Sequence, residues 1–276
     1  FFGFWKLMEA LGAEGRAPDT VVVENVVGLL TSHGGADFTA LCRALADQGY
    51  RFGALEIDAA RFVPQSRPRV FVIATRQPID GLTGTSPFQT RAVREAQARL
   101  PADLQGQWAW WGLDAPPARN TDLAAVLEPD DQMAWRTDEA TQTLLDLMAP
   151  AHRAAVAARM ASGERAVGAV FKRMRGGQQR AEIRFDGLAG CLRTPRGGSS
   201  RQTLLVIDQG QVRSRLLSPR EGARLMGLAD GYRLPRSQTA GLHVIGDGVA
   251  APVVRWLSDR LLTPLTLRKS APLAAE

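Results

Sequence analysis

Glu24 and Asn25 interrupt an otherwise apolar run, TVVVENVVGLL, at residues 20–30. A carboxylate in such a place either binds something or is neutralised locally. A Val/Leu-rich run of this kind reads as a parallel strand covered on both faces, ending where polar residues begin. Glu24 then sits at the carboxyl end of the strand, where ligands bind in open α/β sheets. The alternative is a structural carboxylate paired with a backbone N–H or a basic side chain. A second polar site is the GDG turn at residues 246–248, ahead of an apolar helical pattern. Backbone N–H groups in such a turn can hold an anionic or polar ligand, although one instance is a weak signal. A third is formed by two Arg-Gly-Gly turns, RGGQQR at 175–180 and RGGSSRQ at 196–202. Arginine and glutamine on tight turns suit guanine and adenine edges in a DNA major groove, Arg196 and Arg201 among them. Hairpin turns with solvated arginines are the alternative. Cys42 and Cys191 lie far apart in a chain with three histidines, a pattern of neither a zinc site nor a disulfide framework.

The elements that must carry these groups are well marked in the first quarter of the chain. Residues 1–12 read as a helix, and Phe38, Leu41, Cys42 and Leu45 form the apolar face of a second one, with Asp37 as its cap and Gly49 as its stop. PRVFVIAT at 68–75 reads as another buried strand, so helix and strand alternate as in a doubly wound sheet. From about residue 77 the texture turns to Gly, Pro and Thr with the WAWW cluster at 108–111, which points to a second, smaller domain. The tryptophans read as a hydrophobic mini-core, with base stacking as the alternative. An alanine-rich helical stretch covers about 138–161. In LLSPREGARLMGL, Ser218 is placed to cap a helix, with Pro219 at its first position, Glu221 completing a capping box and Gly227 as the stop. Val249, Val253, Trp256, Leu257 and Leu261 then share one face of a closing helix.

With 276 residues, a formal charge of +6 and a sequence pI near 10.1, the chain is long enough for a substantial core and suits a polyanionic partner. Residues 164–201 hold nine Lys or Arg against three acids, a surplus equal to that of the whole chain. No apolar run approaches the ~20 residues of a spanning helix and no secretory pattern opens the chain, so a membrane partner is not expected. Cysteine usage fits a reducing, cytoplasmic setting. The sequence opens at Phe1 inside an apolar helical pattern with no cap ahead of it, which reads as a fragment or a chain whose start is not shown.

Taken in order, ENV at 24–26, PQSRPR at 64–69, RLLSPREGARLMGL at 215–228 and GDGVAAPVV at 246–254 resemble the later motifs of the DNA cytosine-5 methyltransferases. The resemblance implies an α/β fold: a partial Rossmann-like methyltransferase sheet with a smaller, irregular target-recognition domain. It divides the chain into 1–77 as the carboxyl-terminal half of the catalytic domain, 78–212 as the target-recognition domain and 213–276 as later motifs returning to the catalytic domain. It also implies a reaction, methyl transfer from S-adenosylmethionine to C5 of a flipped-out cytosine in double-stranded DNA, in a restriction-modification or related defence context. A DNA-binding subunit or inactive remnant of such an enzyme is the alternative. In the implied roles Glu24 grips N3 and the exocyclic amine through a carboxyl that is protonated or shares a proton. Arg67 and Arg69, spaced by two on an extended segment with Gln65 ahead of them, hold the cytosine O2 and neighbouring phosphates, with Arg67 counted with Glu24 in catalysis. Asn25, Gln65, Arg69, Arg196 and Arg201 bind substrate, and Gly246, Asp247, Gly248 and Val249 bind the cofactor. Two features depart from the family. Cys42 follows Leu41 and Cys191 follows Gly190, where the nucleophile belongs to a Pro-Cys dipeptide, and the Phe-x-Gly-x-Gly cofactor loop is absent. Both are expected in an amino-terminal part, of the same chain or of a complementary subunit. The family's Asn and Ser or Ala in the last block are Asp247 and Gly248 here.

Overall fold

The computed structural model describes residues 1–194 and 201–267. The chain separates into two compact units, one made of Phe1–Asp58, Pro68–Pro117 and the chain from Val254, the other of Ala59–Arg67 and Ala118–Val253.

The first unit opens with α1 (Phe2–Ala13), β1 (Thr20–Val26), α2 (Ala36–Asp47), β2 (Arg51–Asp58) and β3 (Pro68–Thr75). Phe38, Leu41, Cys42 and Leu45 are buried at helical spacing on α2, against Trp5 and Met8 of α1 and Val70 and Val72 of β3. Gly35, at φ 96°, occupies the N-cap of α2, two residues earlier than the expected cap. Asp37 instead lies in the first turn, where its carboxylate takes the Ser32 hydroxyl and His33 Nδ1. Those bonds, Ser32's first, hold its carboxyl below the usual range.

The sheet order is β1-β3-β2, and β3 is antiparallel to both neighbours. The β1–α2–β2 crossover leaves β1 and β2 running the same way, as a doubly wound fold requires, but β3 is inserted between them. The expectation of a parallel strand at residues 20–30 is corrected accordingly, since the ladder partner of β1 is the antiparallel β3. So is that of double-sided burial at β1, where Val21 faces the core while Val22 is 40% and Val26 52% exposed. β2 has no counterpart in the sequence reading because Arg51, Gly53 and Glu56 break its apolar run. Gly53 is there for space: a Cβ would lie 1.9 Å from the Ala109 carbonyl oxygen.

Residues 78–117 stay with this unit rather than opening a second domain. Ala109 N donates to Phe52 O, Trp108 packs edge-on against Phe52 and Phe38, and Trp111 Nε1 donates to Gly53 O and Ile73 O. The tryptophan cluster is thus mostly core, with α3 (Arg91–Ala98) and α4 (Ala102–Gly106) preceding it in sequence.

The second unit holds α5 (Asp138–Asp146), α6 (Pro150–Ser162) and an antiparallel sheet of order β5-β4-β6-β7. Its strands are β4 (Ala166–Arg175), β5 (Gln178–Arg184), β6 (Thr203–Asp208) and β7 (Gln211–Leu216). The boundary expected between 212 and 213 therefore falls inside β7, which the β6 ladder binds to this unit. α7 (Pro219–Leu225) begins with the expected capping box on Ser218 and Glu221, and Gly227 follows it at φ 75°. Glu221 does more than cap. It is fully buried and takes two guanidinium bonds from the equally buried Arg215, at 2.8 and 2.6 Å. α8 (Gln238–Asp247) takes in the first two residues of the GDG stretch, with Gly248 as its C-cap, and α9 (Ala251–Leu257) begins three residues later. Val253, Leu257 and Leu261 are buried as expected, whereas Val249 is 36% exposed in the link between the helices.

Candidate active site

Glu24 lies two residues before the end of β1, level with Phe71 of β3, and Arg69 lies level with Val26. Side chains at i and j−2 of an antiparallel pair share a face and are close enough for long side chains to meet diagonally. They do: Arg69 Nε is 2.9 Å from Glu24 Oε1, with side-chain exposures of 15% and 25%. The approach lacks hydrogen-bond alignment, so among the described residues no donor bonds to the Glu24 carboxylate. Its charge is matched while its hydrogen-bonding capacity is open. Val22 and Val26 are the neighbours of Glu24 on this strand face, and both are exposed. A carboxylate beside a guanidinium, framed by apolar side chains, can grip a flat polar heterocycle by its edge. Asn25 points elsewhere, and its Oδ1 accepts from Val26 N at 2.8 Å.

Gln65 and Arg67 work inside the second unit. Gln65 is fully buried, donating to Leu225 O at 2.8 Å and accepting from Leu192 N at 3.1 Å. Arg67, 4% exposed, donates to Leu192 O (2.8 Å), Gly248 O (2.7 Å) and Gly246 O (3.3 Å), and to Cys191 Sγ at 3.5 Å. A planar fork with several fixed donors suits such a set of carbonyls better than an ammonium would. The two arginines expected to act together are therefore divided between the units, and Glu24 is met by Arg69.

Arg201 donates to Gln238 Oε1 at 3.3 Å. Arg196 lies outside the described residues. Cys42 is fully buried, and burial pushes its thiol up to about 12.

The model of the C-5 cytosine-specific DNA methylases matches residues 4–263 of this sequence. The chain belongs to that family. A stretch of 65 residues is 31% identical to the type II methyltransferase M1.ScrFI of Lactococcus lactis subsp. cremoris, covering 24% of this chain and 17% of that protein. The Dnmt2 methyltransferase of S. pombe superposes with a TM-score of 0.54 at 14% identity, over 95% of this chain and 72% of that one. The Entamoeba histolytica methyltransferase EhMeth does so with a TM-score of 0.51 at 12% identity, over 95% and 69%. At these identities the two structures establish a shared α/β fold.

Methylases of this family imply a methyl donor, and the GDGV stretch is the place to test its fit. The Gly246 and Gly248 carbonyls are taken by Arg67, and a Cβ on Gly246 would meet Thr194 N at 2.5 Å. Asp247 accepts from the Thr194 hydroxyl. Gly246 and Asp247 are the last residues of α8, and the N–H of Gly248, its C-cap, donates to Ile245 O at 3.3 Å, so these N–H groups are not the free amides of a helix N-terminus. These four residues do not by themselves build a cofactor cradle; Asp247 and Val249 are the two whose side chains are exposed. The sequence carried no sign of the bonds from Arg67 to this stretch, because its carbonyl partners are remote in the chain.

Proposed function

We propose that this chain is part of a DNA cytosine-5 methyltransferase, acting on a cytosine flipped out of a duplex. The observation that carries the reading is the Glu24–Arg69 pair, in a member of the methylase family. Addition of a cysteine thiolate to C6 forms the C6–S bond and pushes electron density towards N3 and O2. A carboxyl that takes a proton from solvent and delivers it to N3, and a guanidinium that donates to O2, stabilise that charge where it develops. Glu24 takes the first role and Arg69 the second. Arg67 is a positioning residue, acting through the turn it holds. Asn25, Gln65, Arg196 and Arg201 stand as supports of the substrate side, Gln65 from within the fold.

S-adenosylmethionine is the methyl donor in this reading, with Asp247 and Val249 as the contacts this chain can offer. The nucleophile comes from an amino-terminal part of the enzyme, in the same chain or a separate subunit, because Cys42 remains a protonated core thiol and neither cysteine follows a proline. The likeness to a type II methyltransferase supports a restriction-modification setting.

The test is incorporation of tritiated methyl from S-adenosylmethionine into duplex DNA. It compares this chain, an amino-terminal piece bearing the Pro-Cys and glycine-rich loops, and the two mixed. Incorporation by the mixture alone is expected. Incorporation by this chain alone would remove the assignment of the nucleophile to another part. The second reading, a DNA-binding subunit without chemistry, rests on the inert Cys42 and predicts duplex binding with no incorporation in any combination.

A further inference from the structure

β4 is paired on both sides only as far as Val170, where its ladder with β6 stops at Thr203. Beyond that point it pairs with β5 alone, Phe171 opposite Glu182 through to Arg175 opposite Gln178. Residues 172–180 are all exposed, so this part is a two-stranded ribbon with solvent on both faces. Gly176 and Gly177, at φ 55° and 76°, close it as a two-residue turn of the kind that follows strand twist.

Residues opposite each other in an antiparallel pair share a face, so Arg173, Arg175, Gln178 and Arg180 lie on one side of the ribbon. Lys172, Met174 and Gln179 lie on the other. The register sets Arg173 directly against Arg180. Like charges in that position destabilise a hairpin, and a ribbon without a core has little to set against the cost. Glu182 offsets two of the arginines, at 2.9 Å from Arg175 and 3.3 Å from Arg173. Arg180 makes no ion pair among the described residues and donates to a neutral acceptor, Gln178 Oε1 at 2.7 Å. An outside polyanion would relieve this arrangement, and the shape fits one. Five residues per strand extend roughly 17 Å, and a major groove about 12 Å wide accepts a two-stranded ribbon.

We infer that residues 172–180 enter the DNA major groove with the Arg173–Arg180 face towards the base edges, and that Arg180 reads a guanine. This rests on the DNA reading above and names the element that supplies sequence choice. Arginine matches the paired O6 and N7 acceptors of guanine, and freeing Arg180 from Gln178 costs one exposed hydrogen bond.

The experiment selects duplexes from a randomised pool with the purified chain, then measures affinity by fluorescence anisotropy for Arg180→Ala, Arg173→Ala and Lys172→Ala. Arg180→Ala is expected to lose roughly 5- to 140-fold on the selected duplex, the span of one good base contact, and to lose preference at one position. Replacing that guanine by 7-deazaguanine, which lacks the N7 acceptor, should weaken the unaltered chain and leave Arg180→Ala unaffected. Lys172→Ala should keep the preference. Melting temperatures should match throughout, since the substituted side chains lie outside the core. Equal weakening on every duplex would make Arg180 a phosphate contact and overturn base reading, as would an unchanged preference. Lys172→Ala losing the preference would overturn the face assignment. No duplex binding by the unaltered chain would instead remove the DNA reading on which the ribbon depends.

Discussion

Replacing Glu24 by glutamine keeps the shape of the side chain beside Arg69 and removes the proton it is proposed to give. In the assembled enzyme kcat should fall roughly 10²- to 10⁴-fold, the usual worth of a general acid, while duplex affinity changes little. Single-turnover methylation together with a binding isotherm separates the two, and an undiminished rate would take Glu24 out of the mechanism. Cys42 offers a complementary measurement. Its thiol is pushed up to about 12 by burial, so at about pH 8.5, where an ordinary cysteine is half ionised, it stays protonated. Iodoacetamide should modify Cys191 first and Cys42 only as the protein unfolds. Equal labelling of both in the folded chain would contradict the burial of α2's inner face.

At the scale of elements, α7 is held by more than its cap. Arg215 on β7 and Glu221 on α7 are both fully buried, and Glu221 also accepts from Ser218 N and Glu128 N. Breaking such a pair from one side leaves a charge without a counterion in a dry site. Glu221→Gln should therefore lower stability by about 3–5 kcal/mol, read as a fall in the denaturation midpoint at constant slope. A loss below about 1 kcal/mol would mean the pair behaves as an exposed one. The sequence signalled Glu221 as a capping residue at the third helical position, and that much was legible locally. Its pairing with Arg215 was not, because six residues separate them across a change from strand to helix.

For the whole molecule, the excess positive charge resides in residues 164–201, of which the described ones, 164–194 and 201, lie in the second unit. If the chain binds duplex DNA through that segment, log Kd should rise linearly with log salt, by about 0.9 for each phosphate neutralised. Charge-reversing Lys172 and Arg175 together should reduce that slope, measured by anisotropy from low to moderate salt. A slope near zero would show that the +6 charge is ordinary surface. Among the described residues no helix is long and apolar enough to cross a membrane.

What the sequence determined was whatever is written in neighbouring residues. Helical spacing marked α1 and α2, Ser-Pro-x-Glu marked the start of α7, and the run at 20–26 marked a strand with its carboxylate near the carboxyl end. Four ordered motifs placed the chain in a family that the match over 4–263 bears out. What tertiary structure decided depends on partners remote in the chain. The packing of Ala109 over Gly53 hides β2 from pattern reading, and insertion of β3 makes the sheet neighbours antiparallel. Arg67 and Arg69 look equivalent at a spacing of two. The structure gives Arg67 to the carbonyls of Leu192, Gly246 and Gly248 and Arg69 to Glu24, because one precedes β3 and the other lies within its ladder, where a diagonal cross-strand contact becomes available.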